Sequence, residues 1–211
     1  EPIDPVRFIS NRSSGKMGYA VAQAARDRGA EVILVSGPVN LQAPPGVRRV
    51  SVESAAQMLD AVMSEIAGTD IFIGTAAVAD YRPSSPADCK IKKVSDKLDL
   101  CMERTVDILA TVSQRADRPF TVGFAAETND MEQHALSKLT RKNLDLIAAN
   151  EVGDAKVFEA DDNALTLFWP NGGKLSLGAG AKTELAVKLM DFVATRFNER
   201  AAAKPKIAIV R

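Results

Sequence analysis

The chain has 211 residues, and its 27 basic side chains balance its 27 acidic ones, so the formal net charge is zero. This length fits one domain of ordinary size with a substantial core. The balanced charge excludes the surplus of cations on which bulk affinity for nucleic acid or an anionic membrane depends. The apolar runs are short and interrupted by charged residues, so none approaches the roughly 20 residues that cross a bilayer.

Cysteine and histidine are scarce. Cys89, Cys101 and His134 are their only representatives, too few for a disulfide framework or for a zinc site with four ligands. A reducing, cytoplasmic compartment is therefore expected. The chain begins at Glu1 without the features of a signal peptide, and we expect another segment to precede it.

Apolar segments of strand length alternate with amphipathic segments of helix length. This alternation predicts an α/β fold with a Rossmann-like, doubly wound and mainly parallel sheet. Ser54 and Gln57 form a capping-box pattern at the second helix, and Gly29 is placed to end the first. The predicted central strands are 31–36, 70–74, 119–124 and 144–148, and the helices between them are 15–28, 54–67, 105–115 and 130–142.

The last third of the chain carries a hairpin signal. Residues 164–169 alternate between apolar and polar, a Pro-Asn-Gly-Gly turn follows, and 174–177 alternate again. This pattern predicts an antiparallel extension of the sheet, followed by a final helix over 181–198. Residues 84–98, a mixed polar stretch that contains proline, lysine and aspartate, are predicted to form a mobile loop.

A loop rich in serine and glycine, residues 10–18, opens the first predicted helix. Its backbone N–H groups and the helix dipole would suit a phosphate, and Lys16 could add a positive charge. It is not a Walker A loop, because Ser10 stands where the first glycine belongs and Met17 where a hydroxyl should bind magnesium. The same residues equally fit a helix preceded by a solvated loop.

Small residues follow two predicted strands, at 74–81 and 123–128. Ligands of open α/β sheets bind beyond the carboxyl ends of the strands, so a ligand could approach the backbone there. Asp80 could accept a ribose hydroxyl or hold magnesium, or it could cap a helix. Phe124 could line a base pocket, or it could belong to the core.

Two groups of cations could contact phosphates. Lys90, Lys92 and Lys93 lie in the predicted mobile loop, and Lys138 and Lys142 share one helix face. Ordinary solvated charge is the alternative for both groups. No G-x-S-x-G motif occurs, and no tyrosine has a lysine four residues later, so nucleophilic catalysis and short-chain dehydrogenase chemistry find no support. The residues favour a nucleoside-triphosphate site that acts by positioning and charge neutralisation.

Five segments of the chain carry a further signal when they are read together: residues 4–18, 76–81, 90–93, 123–128 and 142–145. They closely resemble phosphopantothenoylcysteine synthetase, which in bacteria forms the C-terminal half of a bifunctional coenzyme A biosynthesis flavoprotein. The resemblance extends from Glu1 to about Arg196, with the motifs in the same order and at compatible spacing.

The resemblance implies a ligase that joins 4'-phosphopantothenate to cysteine through an acyl cytidylate formed from CTP. It implies that the Asn11 side chain holds the acyl carbonyl and that Lys90 is needed to turn over the acyl cytidylate. Arg7, with Ala76 and Ala77, would contact the substrate. The nucleotide would be bound by Ser13, Gly15, Asp80, Lys90, Phe124, Lys138 and Lys142, with magnesium at Asp80.

The resemblance also has implications beyond the site. It implies a homodimer and a covalently linked N-terminal decarboxylase domain that carries FMN, with no nucleic-acid or membrane partner. Residues 1–198 would form the ligase domain and 199–211 a tail, either loose or filling a strand position. Family members begin with a strand and a Gly/Thr-rich loop, which this chain lacks, and Arg104-Thr105-Val106-Asp107 departs from their usual motif. An NAD-type oxidoreductase and an inactive nucleotide-binding fragment remain the alternatives.

Overall fold

A computed structural model describes residues 1–93, 95–127, 130–151 and 162–202. The helices are α1 (Lys16–Asp27), α2 (Ala55–Glu65), α3 (Ile108–Ser113), α4 (Met131–Arg141) and α5 (Lys182–Ala202). The strands are β1 (Ile33–Ser36), β2 (Arg48–Ser51), β3 (Ile71–Gly74), β4 (Tyr81–Pro83), β5 (Met102–Arg104), β6 (Phe120–Glu127), β7 (Leu146–Glu151), β8 (Asp162–Trp169) and β9 (Gly173–Ala181).

The central sheet has five strands in the order β3-β6-β7-β8-β9. β3, β6 and β7 are parallel, with Ile71 opposite Phe120 and Val122 opposite Leu146. β8 runs antiparallel to β7, and β9 antiparallel to β8. The predicted fold class, a mainly parallel sheet with an antiparallel extension, is confirmed.

Helices cover both faces of this sheet. Alternate residues of β6 and β7 point to opposite faces, and each face has its own apolar cluster. The cluster under α1 and α5 contains Val21, Val122, Leu146, Ala148, Leu189 and Val193. The cluster under α4 contains Ala125, Ala135, Leu139, Ile147 and Phe168, and a third under α2 and α3 contains Val62, Ile66, Ile108 and Val112. Burial on both faces explains the long aliphatic runs of these strands.

The first predicted strand does not join the central sheet, which corrects the prediction that it is a central strand. β1 pairs in parallel with β2, and these two strands form a separate sheet. β1 and β3 nevertheless both lie near α1: the Tyr19 hydroxyl is 3.1 Å from Ser36 Oγ, and Ile71 and Ile73 pack against the apolar cluster to which α1 contributes Val21 and Ala24. Within the described residues, neither β1 nor β3 has a partner on its second edge.

The predicted hairpin is present, with Asn171 and Gly172 at positive φ in its turn. Gly173 is required by packing, because a Cβ there would lie 1.9 Å from the indole of Trp169. That indole also packs against Phe192 of α5, with ring centroids 4.9 Å apart, and lies under the guanidinium of Arg196. The hairpin is thereby fixed to the last helix.

Helix termini follow local capping. The Ser54–Gln57 capping box is formed, and Gly29, with φ +85°, ends α1. α3 is shorter than predicted because the Asp107 carboxylate accepts a hydrogen bond from the Ala110 amide and caps the helix there. α5 extends beyond its predicted end at 198 to Ala202. Residues 203–211, most of the predicted tail, lie outside the described residues.

Residues 84–98 form most of the connection between β4 and β5, a short antiparallel pair that the sequence did not reveal. Cys89 and Cys101 are both exposed and free. Among the described residues, no helix combines the length and the apolar character needed to cross a membrane.

Candidate functional site

Asn11 lies against the chain that follows β3, at the carboxyl edge of the parallel strands. Its Nδ2 donates to the carbonyl oxygens of Ala77 and Val78, at 3.3 and 3.0 Å. Ala76 and Ala77 are exposed beside it. The structure therefore brings together three of the predicted substrate residues. These two hydrogen bonds use both hydrogens of the Asn11 amide. Donation to an acyl oxygen therefore requires release of at least one of them.

The start of α1 lies close to the same chain segment. A Cβ on Gly18 would be 2.7 Å from Thr75 Oγ1, so glycine permits this close approach. Gly15 has φ +74° and precedes the helix, and a Cβ there would meet Val39 at 2.9 Å. The Gly15 amide donates to Ser13 Oγ at 3.3 Å. Ser13 and Gly15, the predicted phosphate-binding residues, thus form a tight turn at the helix start.

Asp80 is exposed between this segment and β4. Thr105 fixes its backbone: the Thr105 amide donates to the Asp80 carbonyl at 3.0 Å, and Thr105 Oγ1 donates to the Ala79 carbonyl at 2.6 Å. A hydrogen bond to Tyr81, aided by the charge of Asp80, raises the pKa of Arg104. One exposed carboxylate fits magnesium, which proteins commonly hold through one or two carboxylates together with substrate phosphates.

Arg7 is bound to a neighbouring carboxylate. Its guanidinium donates to Asp4 Oδ2 from Nε at 2.9 Å and from Nη2 at 2.5 Å. Nη2 also donates to the Ile91 carbonyl at 3.0 Å, and this residue directly follows the exposed Lys90. The Arg7 guanidinium holds the pKa of the Asp4 carboxyl far below its ordinary value. Arg7 thus connects the N-terminal segment, residues 1–11, to which it belongs, with the loop that contains Lys90 and Ile91.

Phe124 and Lys138 meet through the backbone. Lys138 Nζ donates to the Phe124 carbonyl oxygen at 2.7 Å. The Phe124 ring is half-buried and packs against the apolar cluster under α1 and α5. The core alternative for Phe124 is therefore partly realised, and its ring borders the sheet face on which α1 begins.

Lys142 forms an ion pair with Asp107, with Nζ and Oδ2 2.6 Å apart. Burial raises the pKa of the Asp107 carboxyl, but hydrogen bonds from Lys142 and from the Ala110 amide outweigh burial and lower it. The charge of Lys138 acts in the same direction. In the predicted phosphate role, Lys142 would therefore either share its ammonium group between Asp107 and the nucleotide or leave Asp107.

Sequence reasoning assigned no role to three residues that organise this region: Asp4, Thr105 and Asp107. The Asp-Pro-x-Arg order was a usable signal for Asp4, because aspartate before such a turn accepts hydrogen bonds from the following amides. Thr105 and Asp107 lie in the segment that departs from the family motif. Their contacts, with the end of the β3 loop and with α4, depend on tertiary structure.

Two further observations bound the site. Among the described residues, no three histidine, cysteine, aspartate or glutamate side chains cluster closely enough to hold a metal ion without other ligands. A cleft of about 580 Å³ opens at the carboxyl ends of β1 and β2, lined by Gly37, Pro38, Arg49, Ser51, Val52, Glu53 and Gln57. It contains none of the predicted site residues, so this cleft and the predicted chemistry are separate.

The fold and this edge define a Rossmann-like α/β domain with a candidate ligand site beyond its parallel strands. Residues 1–197 match the family model described as the DNA/pantothenate metabolism flavoprotein C-terminal domain. The chain therefore belongs to this family, and the resemblance to phosphopantothenoylcysteine synthetase is confirmed.

Similar proteins agree with this assignment. The chain is 52% identical over 195 residues to the coenzyme A biosynthesis bifunctional protein CoaBC of Vibrio parahaemolyticus, covering 90% of this chain and 49% of the relative. It is 51% identical over 205 residues to CoaBC of Escherichia coli K12, covering 95% and 50%. A crystal structure of the C-terminal domain of CoaBC superposes with a TM-score of 0.80 at 41% identity, covering 94% and 91%. The chain thus spans about half the length of its curated relatives.

Proposed function

We propose that this domain joins 4'-phosphopantothenate to cysteine in coenzyme A biosynthesis, with CTP as the activating co-substrate. A carboxylate resists attack by an amine because it is negatively charged and resonance-stabilised. Attack of the carboxylate oxygen on the α-phosphorus of CTP would form an acyl cytidylate and release pyrophosphate. The cysteine amine would then attack the acyl carbon, CMP would leave, and the amine proton would be lost.

The position of Asn11 carries the proposal. Its side-chain amide donates to the Ala77 and Val78 carbonyl oxygens, beyond β3, at the edge where ligands of open α/β sheets bind. An amide donor there could hold the acyl oxygen as charge develops on it, which is the usual way in which acyl transfer is accelerated. The half-identical CoaBC proteins support the same pathway.

The remaining residues divide between nucleotide and substrate. In this proposal the ribose and cytosine lie between Asp80 and Phe124, and the phosphates approach Ser13, Gly15, Lys138 and Lys142. Lys90 acts on the acyl cytidylate from its exposed position. Magnesium, held by Asp80 and the triphosphate, would neutralise phosphate charge.

Calorimetry with ligand pairs tests the proposal. CTP with magnesium should bind and NADH should not, because the chain has no dinucleotide-binding glycine motif. Pyrophosphate should appear only when 4'-phosphopantothenate is present, and mass spectrometry of a quenched reaction without cysteine should detect the acyl cytidylate. Binding of NADH would favour the oxidoreductase alternative, and CTP binding without pyrophosphate release would favour an inactive nucleotide-binding domain.

We also propose that an additional strand completes the sheet between β1 and β3. β1 pairs in parallel with β2 and β3 in parallel with β6, and each leaves its second edge unpaired within the described residues. Exposed strand edges are unfavourable because their N–H and C=O groups lack partners. A protein extended at the N-terminus by the corresponding segment of CoaBC should unfold at higher temperature than residues 1–211; an unchanged transition would contradict the proposal.

A homodimer is supported by exposed apolar side chains. Six of them lie near the start of the chain or between Tyr81 and Val106: Val6, Phe8, Tyr81, Leu98, Leu100 and Val106. Phe8 is 72% exposed, which is unusual for an aromatic side chain without a partner. Light scattering should give a dimer mass that Phe8→Asp reduces to that of a monomer, and a wild-type monomer would contradict this.

The exposed free cysteines are consistent with a reducing, cytoplasmic location.

A further inference from the structure

The buried carboxylate of Asp4 joins two chain segments that are far apart in sequence. Its side chain is fully inaccessible to solvent. Oδ1 accepts the amide hydrogens of Val6 and Arg7 at 2.9 and 2.8 Å. Oδ2 accepts from the Arg7 guanidinium and from the Ile91 amide at 3.1 Å. One oxygen therefore shapes the N-terminal turn, while the other reaches the loop of Lys90.

Backbone groups of Ala87 and Ile91, on either side of Lys90 in sequence, are hydrogen-bonded to the first seven residues of the chain. The Ile91 amide donates to Asp4, and the Ile91 carbonyl accepts from Arg7. On the other side, the Ala87 amide donates to the Ile3 carbonyl at 2.9 Å. Lys90 itself is exposed. Its backbone position is consequently set by these polar attachments rather than by burial of its side chain.

The same N-terminal segment carries Asn11, whose amide donates to the Ala77 and Val78 carbonyls. Asp4 is thus the buried side chain through which the segment of Asn11 and the loop of Lys90 are connected, beside the Ala87–Ile3 backbone bond. We propose that Asp4 is a positioning residue for Lys90, which it holds at the acyl-transfer site through Arg7 and the Ile91 peptide. This inference rests on the proposed ligase function for its catalytic consequence, but not for the structural connection.

Asp4→Asn separates the two functions of the carboxylate. Asparagine keeps one acceptor oxygen, which can still serve the Val6 and Arg7 amides. Its NH₂ group would face the Arg7 guanidinium and the Ile91 amide, which are donors and cannot accept from it. The substitution therefore preserves size and the local turn while it breaks the link to the lysine loop.

Quenched-flow kinetics of the complete protein that contains this chain provide the test. Asp4→Asn should leave the first turnover of pyrophosphate nearly unchanged and slow the cysteine step by about tenfold or more, since small misplacements are costly in acyl transfer. The acyl cytidylate should accumulate, as it should in Lys90→Gln. In the Lys90→Gln background, adding Asp4→Asn should slow the cysteine step no further. An equal slowing in both backgrounds would show that Asp4 acts independently of Lys90 and would overturn the proposal.

Hydrogen exchange measures the connection itself, whatever the reaction. The Ile91 amide should exchange about tenfold faster or more in Asp4→Asn, whereas amides of β6 and β7 should not change. Asp117→Asn is the matched control, because it also removes a carboxylate paired with arginine, at an exposed site; it should alter neither exchange at Ile91 nor the cysteine step. Unchanged exchange at Ile91 in Asp4→Asn would overturn the proposal. A wild-type protein that releases no pyrophosphate would refute the ligase function, and exchange would then decide the structural connection alone.

Discussion

Two carboxylate–arginine networks hold opposite edges of the central sheet, and they differ in what they connect. At the amino edge, Asp145 accepts hydrogen bonds from Arg118, Arg200 and the Thr121 amide, joining the starts of β6 and β7 to the end of α5. These elements are already packed in a common core. At the carboxyl edge, Asp4 connects loops that contribute little to any core.

This difference separates stability from function. Where apolar packing already fixes the elements, a buried ion pair mainly adds to the free energy of unfolding. Where the connected segments are exposed loops, the same chemistry determines the geometry of a site and contributes less to global stability. Substitutions at the two edges should therefore have different primary readouts.

The largest effect is expected for Asn11→Asp. In the proposed reaction it would replace a donor beside the developing acyl oxyanion with an anion, and loss of one such donor typically costs about 3 kcal/mol, or a hundredfold or more in rate. Single-turnover amide formation should fall by that factor, while CTP affinity and the melting temperature change little. Asn198→Asp, an exposed position on α5, is the control. Unchanged turnover in Asn11→Asp would remove Asn11 from the site.

Asp145→Asn should show the opposite behaviour, lowering stability and leaving the reaction rate nearly unchanged. It leaves two partly buried guanidinium groups without their carboxylate, so the free energy of unfolding should fall by about 2–3 kcal/mol. Denaturant titration measures this, and the rate of the folded enzyme should be nearly normal. Asp191→Asn, which breaks the exposed pair with Arg28, should cost less than about 1 kcal/mol. Equal losses of unfolding free energy in the two variants would show that partial burial of the Asp145 network adds nothing to stability.

Phe124→Ala tests a residue that packs on the core and also belongs to the proposed nucleotide site. Loss of base stacking should weaken CTP binding by about 1–3 kcal/mol and leave 4'-phosphopantothenate affinity nearly unchanged, as calorimetry can show. Because the ring also packs on the core, stability should fall as well. Phe192→Ala, in the same apolar cluster but on α5, should lower stability without affecting CTP. Equal weakening of both ligands by Phe124→Ala would assign the ring to the core alone.

The smallest effect is expected for the dependence of stability on acidic pH. Hydrogen bonding by Arg7 lowers the folded-state pKa of Asp4 below its value in the unfolded chain. Its contribution to stability is therefore complete above the unfolded pKa of about 3.9 and is lost as the pH falls below that value. The difference in unfolding free energy between wild type and Asp4→Asn should narrow as the pH is lowered from 5 toward 2. A difference independent of pH would contradict the ionised pair.

Local rules predicted the parts of the fold that depend on local sequence. The Ser54–Gln57 capping box and the turn at Asn171 and Gly172 formed as expected. β2 was missed because two arginines occupy its four positions, and an edge strand needs no apolar run. The β4–β5 pair was missed because most of its residues are exposed and Pro83 argued against a strand.

Long-range contacts limited the prediction of the site. The sequence placed Asn11 and Ala77 in one site by family resemblance, and the structure puts them in hydrogen-bond contact. It could not reveal that Lys142 pairs with Asp107 or that Asp4 reaches Ile91, because such partners are far apart along the chain. Local pattern identifies which groups carry charge, whereas tertiary structure decides which of them are already paired.

The packing of Trp169 has a practical consequence for spectroscopy. It is the only tryptophan in the chain, and it is held between Gly173, Phe192 and Arg196 at the junction of the hairpin and α5. Excitation at the red edge of the indole band would therefore report the environment of that junction. A shift of its emission during denaturation would signal separation of the hairpin from the helix. The native chain therefore carries its own unlabelled probe of unfolding.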